Sequence, residues 1–214
     1  MSRTRRSRII GSRVVLGAAL VAVVALSGCS SDDNPGAAAT VGDQRVSNVD
    51  VADAVAQVRS ELGSTPFDAS KVTTDTVTRL ARTLIVDDAA TREGVTVTDS
   101  QVDALLTSTA KSQGGAGAVN QALLTQDSVP ASAVPDYART YLIEQGLADK
   151  LAPGTPDKGQ QAMLTYLSRL STELGTAVAP RYGTWDAQTL ALGALPTDIS
   201  SPLSTPAPAP SSSS

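Results

Sequence analysis

The chain has 214 residues, with 17 Lys and Arg against 21 Asp and Glu for a net charge of −4, no histidine and a single cysteine. Without histidine it cannot assemble a Ser-His-Asp or Cys-His nucleophile, an HExxH zinc site or a histidine proton shuttle, and one cysteine makes neither an internal disulfide nor a cysteine-rich zinc site. The acidic balance also lacks the surplus of Lys and Arg with which proteins neutralise nucleic-acid phosphates.

Residues 1–13 hold five arginines (Arg3, Arg5, Arg6, Arg8, Arg13) and no acid, and Val14 to Leu26 is an uncharged run of Val, Ala, Leu and Gly. That order predicts a signal peptide over residues 1–28. The run would rise only about 20 Å as a helix, short of the roughly 30 Å hydrocarbon core, so it does not suit a permanent span. Arg5-Arg6 are followed by Ser7-Arg8-Ile9-Ile10, a poor match to the twin-arginine export motif, and the export route stays open. The end of the run, Leu26-Ser27-Gly28-Cys29, resembles the lipobox of bacterial lipoproteins. The resemblance implies cleavage before Cys29 and a diacylglycerol thioether on its sulfur, with acyl chains such as palmitate holding the mature chain on the extracytoplasmic face of the cell membrane. Two acyl chains meet the condition for stable anchoring, at about 0.8 kcal/mol for each buried methylene. Loss of residues 1–28 leaves 12 basic residues against 21 acidic ones, a net charge of −9, which argues against a polybasic attachment to lipid headgroups. Residues 29–37 are small, polar and turn-forming, as suits a tether.

Residues 38–198 are expected to form one domain. Ala38 to Asp43 reads as a strand stopped by a Gly-Asp turn. Ser47 with Asp50 three residues on is a capping-box variant, and Val51, Val55, Val58 and Leu62 follow on one helical stripe that Gly63 closes. A second helix is predicted from about Thr74 to Arg92, with Val77, Leu80, Ala81, Leu84 and Ile85 inward, Asp87-Asp88 solvated and Gly94 as cap. Val95-Thr96-Val97 is a short extended link, and Thr98 with Gln101 is a capping box opening a third helix with Val102, Leu105 and Leu106. Gly114 to Gly117 interrupts the pattern before a short fourth helix with Val119, Leu123 and Leu124, and Pro130 to Pro135 is a turn. Tyr137, Tyr141, Leu142, Ile143, Leu147 and Leu151 predict a helix over 136–151, and Leu164, Leu167, Leu170 and Leu174 predict another over 157–174 with Gly175 as stop. Thr176 to Tyr182, with Pro180, is a candidate edge strand. Residues 199–214 are Pro/Ser/Ala low complexity with nothing to bury, which predicts a disordered tail.

Three stretches carry a resemblance. Val41-Gly42-Asp43 with Val46-Ser47 opens the domain, Glu93-Gly94-Val95-Thr96-Val97-Thr98-Asp99-Ser100-Gln101-Val102-Asp103 opens an inner helix, and Ala179-Pro180-Arg181-Tyr182-Gly183-Thr184-Trp185-Asp186 closes the domain. Together they resemble the SurA/PrsA-type N-terminal chaperone domain of secreted foldases. The resemblance implies a mainly α fold of five or six helices, closed by a small two-stranded pairing of the N- and C-terminal extended segments, and a role in holding unfolded or newly exported polypeptides. Many members of that family carry an inserted parvulin prolyl isomerase domain. Only a few residues separate Leu151 from Asp157, where that insert is expected, and the histidines around which parvulin sites are built are missing.

Other signals are weaker. Gly114-Gly115-Ala116-Gly117 lacks the third Gly of a dinucleotide loop and the Lys-Ser/Thr of a P-loop, which leaves a helix break. The acid pairs Asp32-Asp33 and Asp87-Asp88 lack the alternating oxygens of a calcium loop, so no metal or cofactor is expected. Arg181, Tyr182, Gly183 and Trp185 form a candidate interface, since Arg, Tyr and Trp are common anchors. The competing reading makes Tyr182 and Trp185 core residues that pin the last strand, with Arg181 paired to an acid. The sequence thus points to a membrane-anchored, non-catalytic, chaperone-like lipoprotein that binds unfolded or newly exported polypeptides. The alternative is a structural or docking lipoprotein with one specific envelope partner.

Overall fold

Two adjacent strands, β1 (Ala37–Val41) and β2 (Gln44–Ser47), form an antiparallel hairpin in which Thr40 faces Arg45 and Val41 faces Gln44. Gly42 makes the turn with φ +56°, a left-handed conformation that costs glycine little. The structure, a computed structural model, describes residues 36–193. The signal peptide, the lipobox Leu26-Ser27-Gly28, Cys29, most of the tether and the 199–214 tail lie outside the described residues.

Ser47 ends β2 and caps α1 (Asn48–Leu62). Its hydroxyl accepts from the Asp50 amide at 3.0 Å while the Asp50 carboxylate accepts from the Ser47 amide at 2.9 Å, the reciprocal pair the spacing predicts. Those bonds hold the Asp50 carboxyl below the usual carboxylate range, the Ser47 contacts being the main cause. Val51, Val58 and Leu62 are buried, and Gly63 ends the helix.

Helix α2 (Ala69–Glu93) begins five residues earlier than expected. Asp68 is the cap, its carboxylate accepting from the amides of Ser70 and Lys71 at 2.8 and 3.1 Å, and this bond outweighs the weak helix preference of Thr73 and Thr74. Val77 and Ala81 pack beneath the sheet with Ala38, Ala39, Val46 and Val51. Further along, Ile85, Val86, Ala89 and Ala90 join Ile143, Leu147, Met163, Leu167 and Leu170 in the largest core. Leu80 and Leu84, expected inward, are only partly buried. Asp87 is exposed, whereas Asp88 is half-buried and pairs with Arg92 at 2.6 Å.

Gly94 (φ +65°) caps α2, and the Thr98–Gln101 box opens α3 (Asp99–Ser112). The glycine cluster turns the chain into α4 (Ala116–Asp127), with Gly117 inside the helix. Only Val102 of α3 and Val119 and Leu124 of α4 are buried, so this helical hairpin is lightly anchored. A single 3-10 turn over Ala131–Ala133 leads into α5 (Val134–Leu151), which starts before the expected Asp136 because Pro135 sits in its first turn, where a missing amide costs nothing.

Helix α6 (Pro156–Glu173) returns against α5 after a short turn, with no domain inserted between them. Its buried stripe is Gly159, Met163, Leu167, Leu170 and Ser171, while Leu164, expected inward, is 44% exposed. Positions 163, 167, 170 and 174 share one face, and 164 is about 100° off it. At Gly159 the backbones come so close that a Cβ would stand 2.7 Å from the Ala148 carbonyl oxygen.

The candidate edge strand shrinks to β3 (Ala177–Val178), which pairs antiparallel with β1 and places β1 in the centre of a three-stranded sheet ordered β2-β1-β3. The predicted pairing of the N- and C-terminal extended segments is this β1–β3 contact, and β2 adds a third strand to it. Pro180 to Tyr182 is instead a 3-10 turn, since proline fixes φ and cannot donate to a ladder. A second small hairpin follows, β4 (Trp185–Asp186) with β5 (Ala191–Leu192).

The Gly159 contact gives a stability prediction. Gly159→Ala should lower the unfolding free energy, because overpacking of about 1–3 kcal/mol outweighs a helix-propensity gain of about 1 kcal/mol. Gly117→Ala, where a Cβ meets nothing within 4 Å, should raise it by about 0.5 kcal/mol. Urea unfolding of both variants checks this; a stabilised Gly159→Ala would contradict the close helix contact.

Candidate functional site

The face of α2 away from its buried stripe carries Lys71, Asp75, Arg79 and Arg82 at spacings of 4, 4 and 3, a polar stripe opposite the apolar one. Facing it across a cavity of about 580 Å³ are Tyr137, Thr140, Tyr141 and Glu144 of α5, the end of α4 at Gln126 and Asp127, and Ala191 and Leu192 of β5. A second cavity of about 420 Å³ shares Gln126, Asp127, Tyr137 and Tyr141 with the first and runs between α3, α4 and α5. Its walls are mostly apolar: Leu105, Leu106, Val119, Ala122, Leu123 and Val134. The two form one groove, charged at one end and apolar at the other, with two tyrosines where they meet.

The apolar end exists because α3 and α4 are short, weakly buried helices that turn Leu105, Leu106 and Leu123 toward each other rather than into the main core. At the charged end most groups are partnered. Lys71 pairs with Asp75 at 2.5 Å, and the same carboxylate accepts from the Ser128 hydroxyl at 2.8 Å. Arg82 Nε pairs with Glu144 Oε1 at 2.8 Å and ties α2 to α5 in a partly buried bridge. Burial, then the nearby Asp127 and Glu144, push the Tyr137 phenol up, so it stays protonated as a hydrogen-bond donor. Tyr141 is 46% exposed, and its hydroxyl accepts from Gln145 Nε2 at 2.6 Å.

Arg79 is different. It makes no ion pair among the described residues, and its Nε and Nη2 are shut off from solvent without an acceptor. Burial pulls its pKa down, with Tyr137 and Asp136 pulling the other way; a guanidinium nonetheless stays charged at any ordinary pH.

The candidate interface Arg181, Tyr182, Gly183 and Trp185 lies elsewhere and lines neither cavity. Tyr182 packs against the core beneath the sheet and donates its hydroxyl to Asn48 Oδ1 at 2.9 Å, and Trp185 packs there too and donates Nε1–H to Ser171 Oγ at 2.9 Å. Gly183 has φ +124°, and a Cβ there would stand 2.8 Å from the Gly193 carbonyl oxygen. Arg181 is exposed, and its guanidinium lies over the Tyr182 ring at 5.5 Å in place of the expected acid partner. These four residues close the domain and hold the β4–β5 hairpin, from which Ala191 and Leu192 reach the groove.

Among the described residues no three His, Cys, Asp or Glu side chains cluster as a metal site would need. Among those residues no helix is long and apolar enough to cross a membrane. What the groove offers is apolar surface, two aromatic rings and fixed hydrogen-bonding and charged groups, the usual makeup of a ligand-binding cleft. The signal for it was present in the sequence as the Lys71-Asp75-Arg79-Arg82 stripe, but only the fold brings that stripe opposite α5.

A family model described as the SurA-like N-terminal domain matches residues 1–145, a span that contains every groove residue except Ala191 and Leu192. No curated protein and no solved structure matches the chain.

Proposed function

Because the chain belongs to the SurA-like N-terminal domain family, whose role is chaperone-like binding of polypeptides, we propose that it is a membrane-anchored, non-catalytic lipoprotein that holds unfolded or newly exported chains in the groove between α2, α3, α4 and α5. The groove is the observation that carries the reading. Leu105, Leu106 and Leu123 offer apolar surface that the protein's own core does not use, and Tyr137 and Tyr141 can lie along an extended chain of any sequence. Exposed apolar patches on a folded domain are uncommon unless something covers them. The Leu26-Ser27-Gly28-Cys29 motif supports lipid attachment through Cys29 at the outer face of the membrane, where emerging chains are most prone to aggregate.

Two experiments test the parts separately. The full-length chain, kept soluble in mild detergent and compared with a detergent blank, is added to several unrelated denatured proteins while light scattering is followed. Suppression at near-stoichiometric ratios is expected. Tyr141→Ala should unfold within about 0.5 kcal/mol of the parent, as exposed positions do, yet need several-fold more protein for the same suppression. No suppression by a folded chain would overturn general client binding and favour a single docking partner. For the anchor, mass spectrometry of protein recovered from bacterial membranes should find diacylglyceryl-modified Cys29 as the first residue, and Cys29→Ala should abolish the modification; an unmodified mature protein would refute the lipid anchor.

A further inference from the structure

We propose that residues 194–203, the stretch that follows β5, lie in the groove as a strap that a client has to displace, with Leu195, Ile199 and Leu203 toward the apolar end. This deepens the polypeptide-binding reading and rests on it, since the strap is held as a client would be.

The place where the fold releases the chain carries the argument. Leu192 pairs with Trp185 and Ala191 with Asp186, and the Gly193 amide donates to the Thr184 carbonyl at 2.8 Å, so the end of β5 is fixed. Ala191 and Leu192 also form part of the wall of the 580 Å³ cavity. Residues 194–214 therefore start at the rim of the groove. The segment that precedes the fold does not. It joins β1 at Gly36, which lines neither cavity, and it carries Asp32-Asp33.

Length and composition suit the groove. In the polyproline II conformation residues 194–203 would span about 31 Å. Helix α3, which bounds the apolar end, has 14 residues and so a length of about 21 Å. The strap can pass the charged cavity and continue along the apolar one. Leu195, Ile199 and Leu203 supply apolar side chains, and Asp198 is the sole charged side chain of residues 194–214, so little charge has to be brought near apolar walls. Pro196 and Pro202 restrict the chain before it docks, which lowers the entropy lost on docking. Proline-containing extended segments dock on aromatic-lined grooves, and Tyr137 and Tyr141 border both cavities. Tethering makes a weak contact sufficient. At an effective concentration on the order of 1 mM, a segment with a Kd of about 0.3 mM fills its site about three-quarters of the time and weakens a competing client about fourfold.

The test uses the full-length chain in mild detergent and has two arms. In the first, a photo-crosslinking phenylalanine analogue replaces Ile199, and mass spectrometry locates the products. Crosslinks within one chain to α3, α4 or the first half of α5 are expected. Crosslinks between two chains, crosslinks to α6, or none within the protein would overturn the strap. In the second arm, fluorescence anisotropy follows a labelled, uncharged apolar peptide. The variant carrying Leu195→Ser, Ile199→Ser and Leu203→Ser together should bind it about fourfold more tightly than the parent. All three positions lie past the last strand, so the variant should keep the parent's circular dichroism spectrum. Equal or weaker binding by the variant would overturn the strap and leave polypeptide binding intact. Binding by neither protein would overturn the polypeptide-binding reading, and the strap as its regulator with it.

Discussion

The packing of α2 is the constraint on which the other elements depend. Along its 25 residues one face must be covered twice, first by the sheet and then by the α5–α6 pair. Alanines at 81, 89 and 90 let the partner elements come close, and Val77, Ile85 and Val86, all fully buried, supply the contact area; each such side chain contributes about 1.5–3 kcal/mol on burial. The opposite, polar face is covered only in part, by side-chain bridges to α5 and to the end of α4, and the groove is the space left there. A single helix thus fixes both the core and one wall of the binding surface, and the Arg82–Glu144 bridge sets how far α5 stands from it.

Closure of the chain ends is the second requirement. Strand β3 meets β1 from almost the other end of the described chain, and the Tyr182–Asn48 and Trp185–Ser171 hydrogen bonds fasten the segment that follows. These are long-range contacts, formed only after much of the chain is ordered. Their functional effect is indirect. By anchoring the β4–β5 hairpin they bring Ala191 and Leu192 to the groove, so residues that resemble a surface motif in the sequence act as the support of a wall.

Local chemistry was the part of the fold legible in the sequence. The capping boxes at Ser47 and Thr98 and the glycine caps at 63 and 94 are set by hydrogen bonds and backbone preferences within a few residues, so they survive any tertiary context. Positions decided by packing were less readable. An apolar count along α6 chooses Leu164, whereas the buried face takes Met163 with Gly159 and Ser171, because close approach to α5 and a hydrogen bond to Trp185 select small and polar residues there. Tyr141 fits the apolar repeat of α5 and yet faces the groove. Of the groove only the polar stripe of α2 was legible, since its walls come from five separate elements that the fold alone brings together.

Hydrogen exchange of the full-length chain, with and without an unfolded client, tests the central claim that this groove is the binding surface. The account predicts that amides of α3, α4 and the first half of α5 slow on client binding while those of α6 stay unchanged. Slowing confined to α6 or to the 179–186 segment, or none at all with client bound, would contradict it.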